Sequence, residues 1–89
     1  MEQRTNVGYV ITDSVHIGDT EFVIGQSEHD PARFVTWACD RGDYYYWGHY
    51  LTSREDAERD LIKRVSERIR YLNSIRGEKQ TEKKKERER

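Results

Sequence analysis

The sequence predicts an α+β fold: a four-stranded antiparallel meander with one C-terminal helix packed on one face, in the order β-β-β-β-α. Three observations carry the prediction. Four short segments rich in β-branched and aromatic residues are separated by Gly, Asp or Pro breaks. After Thr52 the apolar spacing changes from two residues to three and four, the period of a helix. The chain has 89 residues and one cysteine, enough for a single domain without a disulfide framework.

The segment Met1 to Val7 is read as a flexible N-terminus, residues 8–76 as the domain and 77–89 as a charged tail. In the first strand Tyr9, Ile11, Val15 and Ile17 share one parity, with Thr12, Ser14 and His16 on the other. Gly18-Asp19 supplies a reversal into the short apolar strand Glu21 to Gly25, and the polar stretch Gln26 to Ala32, with the sole proline Pro31, is a loop. Phe34 to Cys39 and Tyr44 to Leu51 form a hairpin across Asp40, Arg41, Gly42 and Asp43. Short sequential connections make the sheet antiparallel.

The helix starts at Thr52 or Ser53, either of which can cap it, with Glu55 or Asp56 three residues on. Ala57, Leu61, Ile62, Val65, Ile69 and Leu72 are expected to face the sheet, and Gly77 to end the helix. Beyond it EKQTEKKKERER has no apolar residue, as in a disordered tail or a solvated extension of the helix.

Charge divides the chain. Residues 1–52 carry eight acids against three bases, and residues 53–89 carry nine acids against thirteen bases. The sheet half is acidic and the helical half basic, an asymmetry that can steer a partner. No run approaches the roughly 20 apolar residues of a membrane span, and MEQRTNVG has no signal-peptide core, so the reading is a cytoplasmic protein.

Aromatics are concentrated between Phe34 and Leu51, which hold both tryptophans and four of the six tyrosines. In the last strand Tyr44, Tyr46, Gly48 and Tyr50 alternate with Tyr45, Trp47, His49 and Leu51, so both sheet faces carry rings. One helix covers one face. The other is expected to leave large rings in water unless a partner covers them. The partner-binding candidates are accordingly Trp37, Asp43, Tyr44, Tyr45, Tyr46, Trp47, His49 and Tyr50. The competing account is that these rings pack on one another across strands.

Enzymatic and metal chemistry find little support. His16, His29, His49 and Cys39 lack metal-ligand spacing, no Gly-rich phosphate loop precedes the helix, and Asp40 and Asp43 suit a turn without any catalytic role. Cys39 with His49 on the adjacent strand would need an oxyanion site as well, and Cys39 is read as a small hydrophobe. No catalytic residue, cofactor or metal is assigned.

The run FVTWACDRGDYYYWGHYLTSREDAERDLIKR resembles short uncharacterised proteins carried on conjugative and phage elements of gut Firmicutes. Its order carries the likeness: an aromatic-Val-Thr-Trp strand, a turn, a Tyr/Trp-Gly-His-Tyr strand, and a helix opening with Ala57 and Asp60. The resemblance implies a mobile-element accessory protein. Small proteins of that setting often bind host defence machinery, anti-CRISPR proteins among them.

The leading expectation is therefore a non-enzymatic protein-binding module. Its acidic, aromatic sheet face would dock on a basic partner surface, as an inhibitor of a host defence nuclease, with carboxylates in place of phosphates and rings offering cation–π contacts. The alternative is a nucleic-acid-binding accessory protein using the basic tail and the sheet aromatics, against which the acidic sheet half and the interleaved Glu82, Glu86 and Glu88 count. A third reading is a homodimer with no further ligand.

Overall fold

The computed structural model of the chain describes residues 4–79. Among them run five antiparallel strands in sequence order: β1 (Thr5–Asn6), β2 (Tyr9–Ile17), β3 (Thr20–Ser27), β4 (Phe34–Asp40) and β5 (Tyr44–Leu51), followed by helix α1 (Arg54–Lys79). The α+β meander is as expected, with one strand more. Part of the N-terminal segment joins the sheet, since Thr5 and Asn6 pair with Val10 and Tyr9 and the Arg4 carbonyl accepts the Ile11 N–H. Arg4 itself reaches across to Glu21 on β3, 2.6 Å away, and to the Gly42 carbonyl.

The hairpin turns follow from backbone preference. Arg41 and Gly42 both have positive φ, as the two central residues of a type I′ turn require, and the Asp43 N–H donates to the Asp40 carbonyl. Val7 and Gly8 make the same arrangement between β1 and β2, with a β-branched residue in the left-handed region at φ 42°. The loop from β3 to β4 is closed by side chains: Ser27 Oγ accepts from the His29 and Asp30 N–H groups, and Asp30 Oδ1 from that of Ala32.

Two β-bulges decide which residues share a face. Ile11 pairs with Gly25 but Asp13 with Ile24, so Thr12 is the extra residue in β2. Thr36 pairs with His49 and Ala38 with Tyr46, so β5 carries an extra residue opposite Trp37, at Trp47 and Gly48. Each bulge reverses the alternation. The expected single stripe of Tyr9, Ile11, Val15 and Ile17 is thus split: Tyr9 and Ile11 lie away from the helix, Val15 and Ile17 on its side. In β5, Tyr44, Tyr46, His49 and Leu51 share the helix side and Tyr45 and Tyr50 the other.

The result is two small cores. Phe22, Ile24, Phe34 and Ala38 pack against Ala57 and Leu61 of α1, edged by Ile17, Tyr46, Leu51 and Val65. On the opposite side Val23, Val35 and Trp37 are buried under Tyr9, Ile11 and Tyr45. The rings of Tyr9 on β2 and Tyr50 on β5 meet at 6.2 Å. Those strands are three spacings apart, ~14 Å in a flat sheet. The curl of the sheet into a half-barrel, with rings leaning inward, closes that gap.

Helix α1 is capped by Ser53, whose Oγ accepts the Asp56 N–H at 3.1 Å. Three helix positions differ from expectation. Ile62 and Ile69 do not face the sheet but are exposed, because Ala57, Leu61 and Arg64 take the inner line. Gly77 does not end the helix, which continues to Lys79. The rest of the predicted tail lies outside the described residues. No described helix is long and apolar enough to cross a membrane.

Candidate docking surface

Trp37 is only 4 % exposed, so it supports a surface from beneath instead of forming one. Its indole lies edge-on to Tyr9 at 5.8 Å and tilted against Tyr45 at 5.3 Å. Two glycines make room for it: a Cβ on Gly48 would come 2.8 Å from Trp37 Nε1, and one on Gly25 would come 3.4 Å from the far edge of the ring. The helix-free face is therefore not an open aromatic plane. Its rings cover Val23 and Val35 themselves, the competing account raised by the sequence.

Tyr45 and Tyr46 are half-buried. Burial pushes both phenols up from their ordinary pKa, and Tyr46 also donates to Asp40 Oδ1 at 3.1 Å. The sheet rings that meet water belong to β5: Tyr44 is 58 % exposed, Tyr50 65 % and Trp47 74 %. Among the described residues β5 pairs only with β4, so these rings line an edge strand. Asp43 is exposed in the turn at one end of that edge, and His49 is exposed between Trp47 and Tyr50.

Trp47 is held out by its backbone. Its φ of 56° puts it in the left-handed region at the bulge, a conformation that costs an L-residue about 1–2 kcal/mol. Arg64 of α1 fixes it there by donating from Nη2 to the Trp47 carbonyl. Arg64 is itself buried, which pushes its guanidinium down from its ordinary pKa.

Beside this lies a polar cluster that sequence reasoning missed. Thr36, fully buried on β4, donates its hydroxyl to Asp60 Oδ2 at 2.5 Å. His49 Nδ1 lies 3.0 Å from the same oxygen, within hydrogen-bond reach of the carboxylate. Burial works to raise the Asp60 pKa, but the Thr36 hydroxyl and His49 outweigh it and hold the carboxyl below its usual range. The bulge at Trp47 brings His49 to the helix side. Without it, alternation would place His49 beside Tyr45.

The same reversal separates Cys39 from His49. Cys39 is buried on the helix-free side, where burial pushes its thiol up, away from thiolate chemistry. Among the described residues no group of three His, Cys, Asp or Glu side chains is placed to hold a metal ion. The acids of the strands are engaged within the fold, Asp13 with Arg54, Glu21 with Arg4 and Asp40 with the Tyr46 hydroxyl, as is Asp30 of the β3–β4 loop with Arg33.

Fold and surface together define a small α+β protein with an aromatic edge strand beside its helix. No protein family, curated protein or solved structure matches the chain.

Proposed function

We propose that the chain is a non-enzymatic binding protein that docks on another protein through the outer edge of β5. The observation that carries this is the exposure of Tyr44, Trp47 and Tyr50 on one edge strand, with Trp47 held outward at an energetic cost. Rigid aromatic side chains are the usual anchors of protein interfaces, because they contribute large contact area while losing little conformational freedom. Strained backbone concentrates where function requires it.

The favoured partner is a basic surface of a host defence nuclease. Asp40 and Asp43 stand at the turn end of the edge to meet cations, and the rings offer cation–π contacts. The resemblance of roughly residues 8–72 to mobile-element proteins favours the same reading, an anti-CRISPR-like role. A second copy is the other occupant an observation favours, since Ile62, Ile69 and Tyr71 are exposed along the helix.

The test is capture from host lysate by tagged wild-type protein and by a Tyr44→Ser/Tyr50→Ser variant, each with and without nuclease treatment. A stoichiometric partner that survives nuclease and is lost with the variant supports docking through β5. Recovery that requires intact nucleic acid moves the reading to the nucleic-acid-binding alternative. Sedimentation as a dimer, with nothing captured, moves it to self-association.

A further inference from the structure

The open end of the half-barrel, on the face away from the helix, holds a guanidinium group that the chain supplies to itself. Glu21 is 4 % exposed, and its carboxylate receives Arg4 Nη1 at 3.2 Å and Nη2 at 2.6 Å, one nitrogen to each oxygen. Arg4 Nη1 also donates to the Gly42 carbonyl in the β4–β5 turn at 3.4 Å, and the Tyr45 hydroxyl donates to the same carbonyl. A cavity of about 670 Å³ opens around this pair, with Asp19, Arg41 and the buried Cys39 in its wall. The seat is built into the sheet, but its occupant is loosely attached. Glu21 comes from β3 and Gly42 from the turn, whereas Arg4 hangs on the two-residue strand β1, whose turn strains Val7 at φ 42°. The Arg4 side chain is itself 38 % exposed. An arm with so few contacts opens locally at low cost.

The carboxylate that the arm would abandon stays where it is, and a buried charge left without its partner is strongly unfavourable. The arm therefore leaves in exchange for another cation. With Arg4 gone, Asp19 and Glu21 face Arg41, one net negative charge, so the exchanging group is a monocation. Two carboxylate oxygens engaged by two nitrogens of one plane favour a guanidinium over an ammonium. We infer that the mouth of the half-barrel is a binding site for an arginine side chain of the partner protein, kept shut by Arg4 until that arginine takes its place. This rests on the proposed docking to a basic protein surface and names the group that surface inserts. Gly42 stands between Arg41 and Asp43, so the mouth is continuous with the turn end of the β5 edge.

The experiment is a titration of isotope-labelled full-length protein, wild type and Arg4→Gly, with acetyl-arginine amide, followed on the backbone amide signals of Thr5, Asn6, Glu21 and Gly42. Acetyl-lysine amide, the neutral isostere acetyl-citrulline amide and free arginine are run in parallel. His16 Nε2 stands 3.9 Å from Glu21 Oε1, and pH 8 lies above the ordinary histidine range, so the titration is run there. Arg4→Gly is expected to show saturable shifts at Glu21 and Gly42 with acetyl-arginine amide, and about tenfold weaker binding of the lysine and citrulline amides. Adding Glu21→Gln is expected to abolish them. In wild type the same shifts are expected at about tenfold higher concentration, because the tethered arm competes, with Thr5 and Asn6 moving toward their unfolded positions. Arg4→Lys, which keeps a charge on the arm and the fold if Arg4→Gly loses it, is expected to exchange more readily than wild type. Equal binding of the citrulline amide, tighter binding of free arginine, or wild-type shifts that leave Thr5 and Asn6 in place overturn the assignment, as does the absence of any saturable shift. The titration uses no partner, so its failure leaves docking through β5 standing, and a positive titration without a captured partner counts against docking alone.

Discussion

Replacing each tryptophan in turn separates the surface from the scaffold. Trp47→Gly relieves a left-handed backbone worth about 1–2 kcal/mol, while the extra freedom of glycine in the unfolded chain costs about 0.5–1 kcal/mol. The lost edge contact with Tyr46, at 4.9 Å, costs about 0.5–1.5 kcal/mol, and little buried area goes with a ring that is 74 % exposed. The terms nearly cancel, and the variant is expected within about 1 kcal/mol of wild type. Trp37→Ala instead empties the space between Gly25, Gly48, Tyr9 and Tyr45, and is expected to cost about 3–5 kcal/mol, much of the stability of a domain this size. Urea denaturation followed by circular dichroism reads both, and partner capture reads the surface. Trp47→Gly should fold and lose the partner. A loss of stability above about 2 kcal/mol for Trp47→Gly would make that ring structural and refute the reasoning that it is displayed for binding.

Val7→Asn converts the first hairpin turn to Asn-Gly and removes a β-branched residue from φ 42°; thermal melts are expected to rise by about 4–8 °C, for a gain of about 1 kcal/mol. Gly48→Ala forces a Cβ to 2.8 Å from Trp37 Nε1 in a packed core, and is expected to cost about 1–3 kcal/mol and to alter the near-ultraviolet signal of the indole. The folded state should weaken in acid. Arg4 holds Glu21 below its ordinary range, and Thr12 with Arg54 and Thr36 with His49 do the same for Asp13 and Asp60 against the opposing effect of burial. The unfolded chain therefore binds more protons in the carboxylate range, so stability present above about pH 5 is lost as the pH falls through the depressed folded-state values. Asp60→Asn is expected to make the acid limb of a stability-against-pH curve shallower.

The sequence shows its strands and helix clearly because each rests on local chemistry. Gly18, Gly42 and Pro31 punctuate the chain, Ser53 caps the helix, and Ala57, Leu61 and Val65 recur at helical spacing. What it hides are choices made by packing across the fold. Nothing at Thr12 announces a bulge, since its cause is the pairing of β2 with β3 on both sides of it. The bulge in β5 did leave a mark: an isolated glycine inside an aromatic strand, Gly48, signals irregular pairing or a close approach, and here it marks both. Reading that glycine as ordinary strand places His49 and Tyr50 on the wrong sides and conceals the His49–Asp60–Thr36 cluster. The inner line of the helix departs from its apolar spacing for a similar reason. Arg64 occupies an inner position that an apolar residue would normally fill, which leaves Ile62 and Ile69 exposed.

The irregularity in β5 also bears on whether its edge can pair with a strand of another chain. A run of Tyr44, Tyr45, Tyr46 and Trp47 on an edge left unpaired among the described residues is the kind of segment that templates growth of stacked β-strands from chain to chain. A left-handed residue in the middle of that edge twists it and breaks the row of backbone groups a second chain would need. The exposed rings thus stand on a strand that is not flat, and deleting Trp47 to straighten the edge is expected to promote strand-to-strand growth.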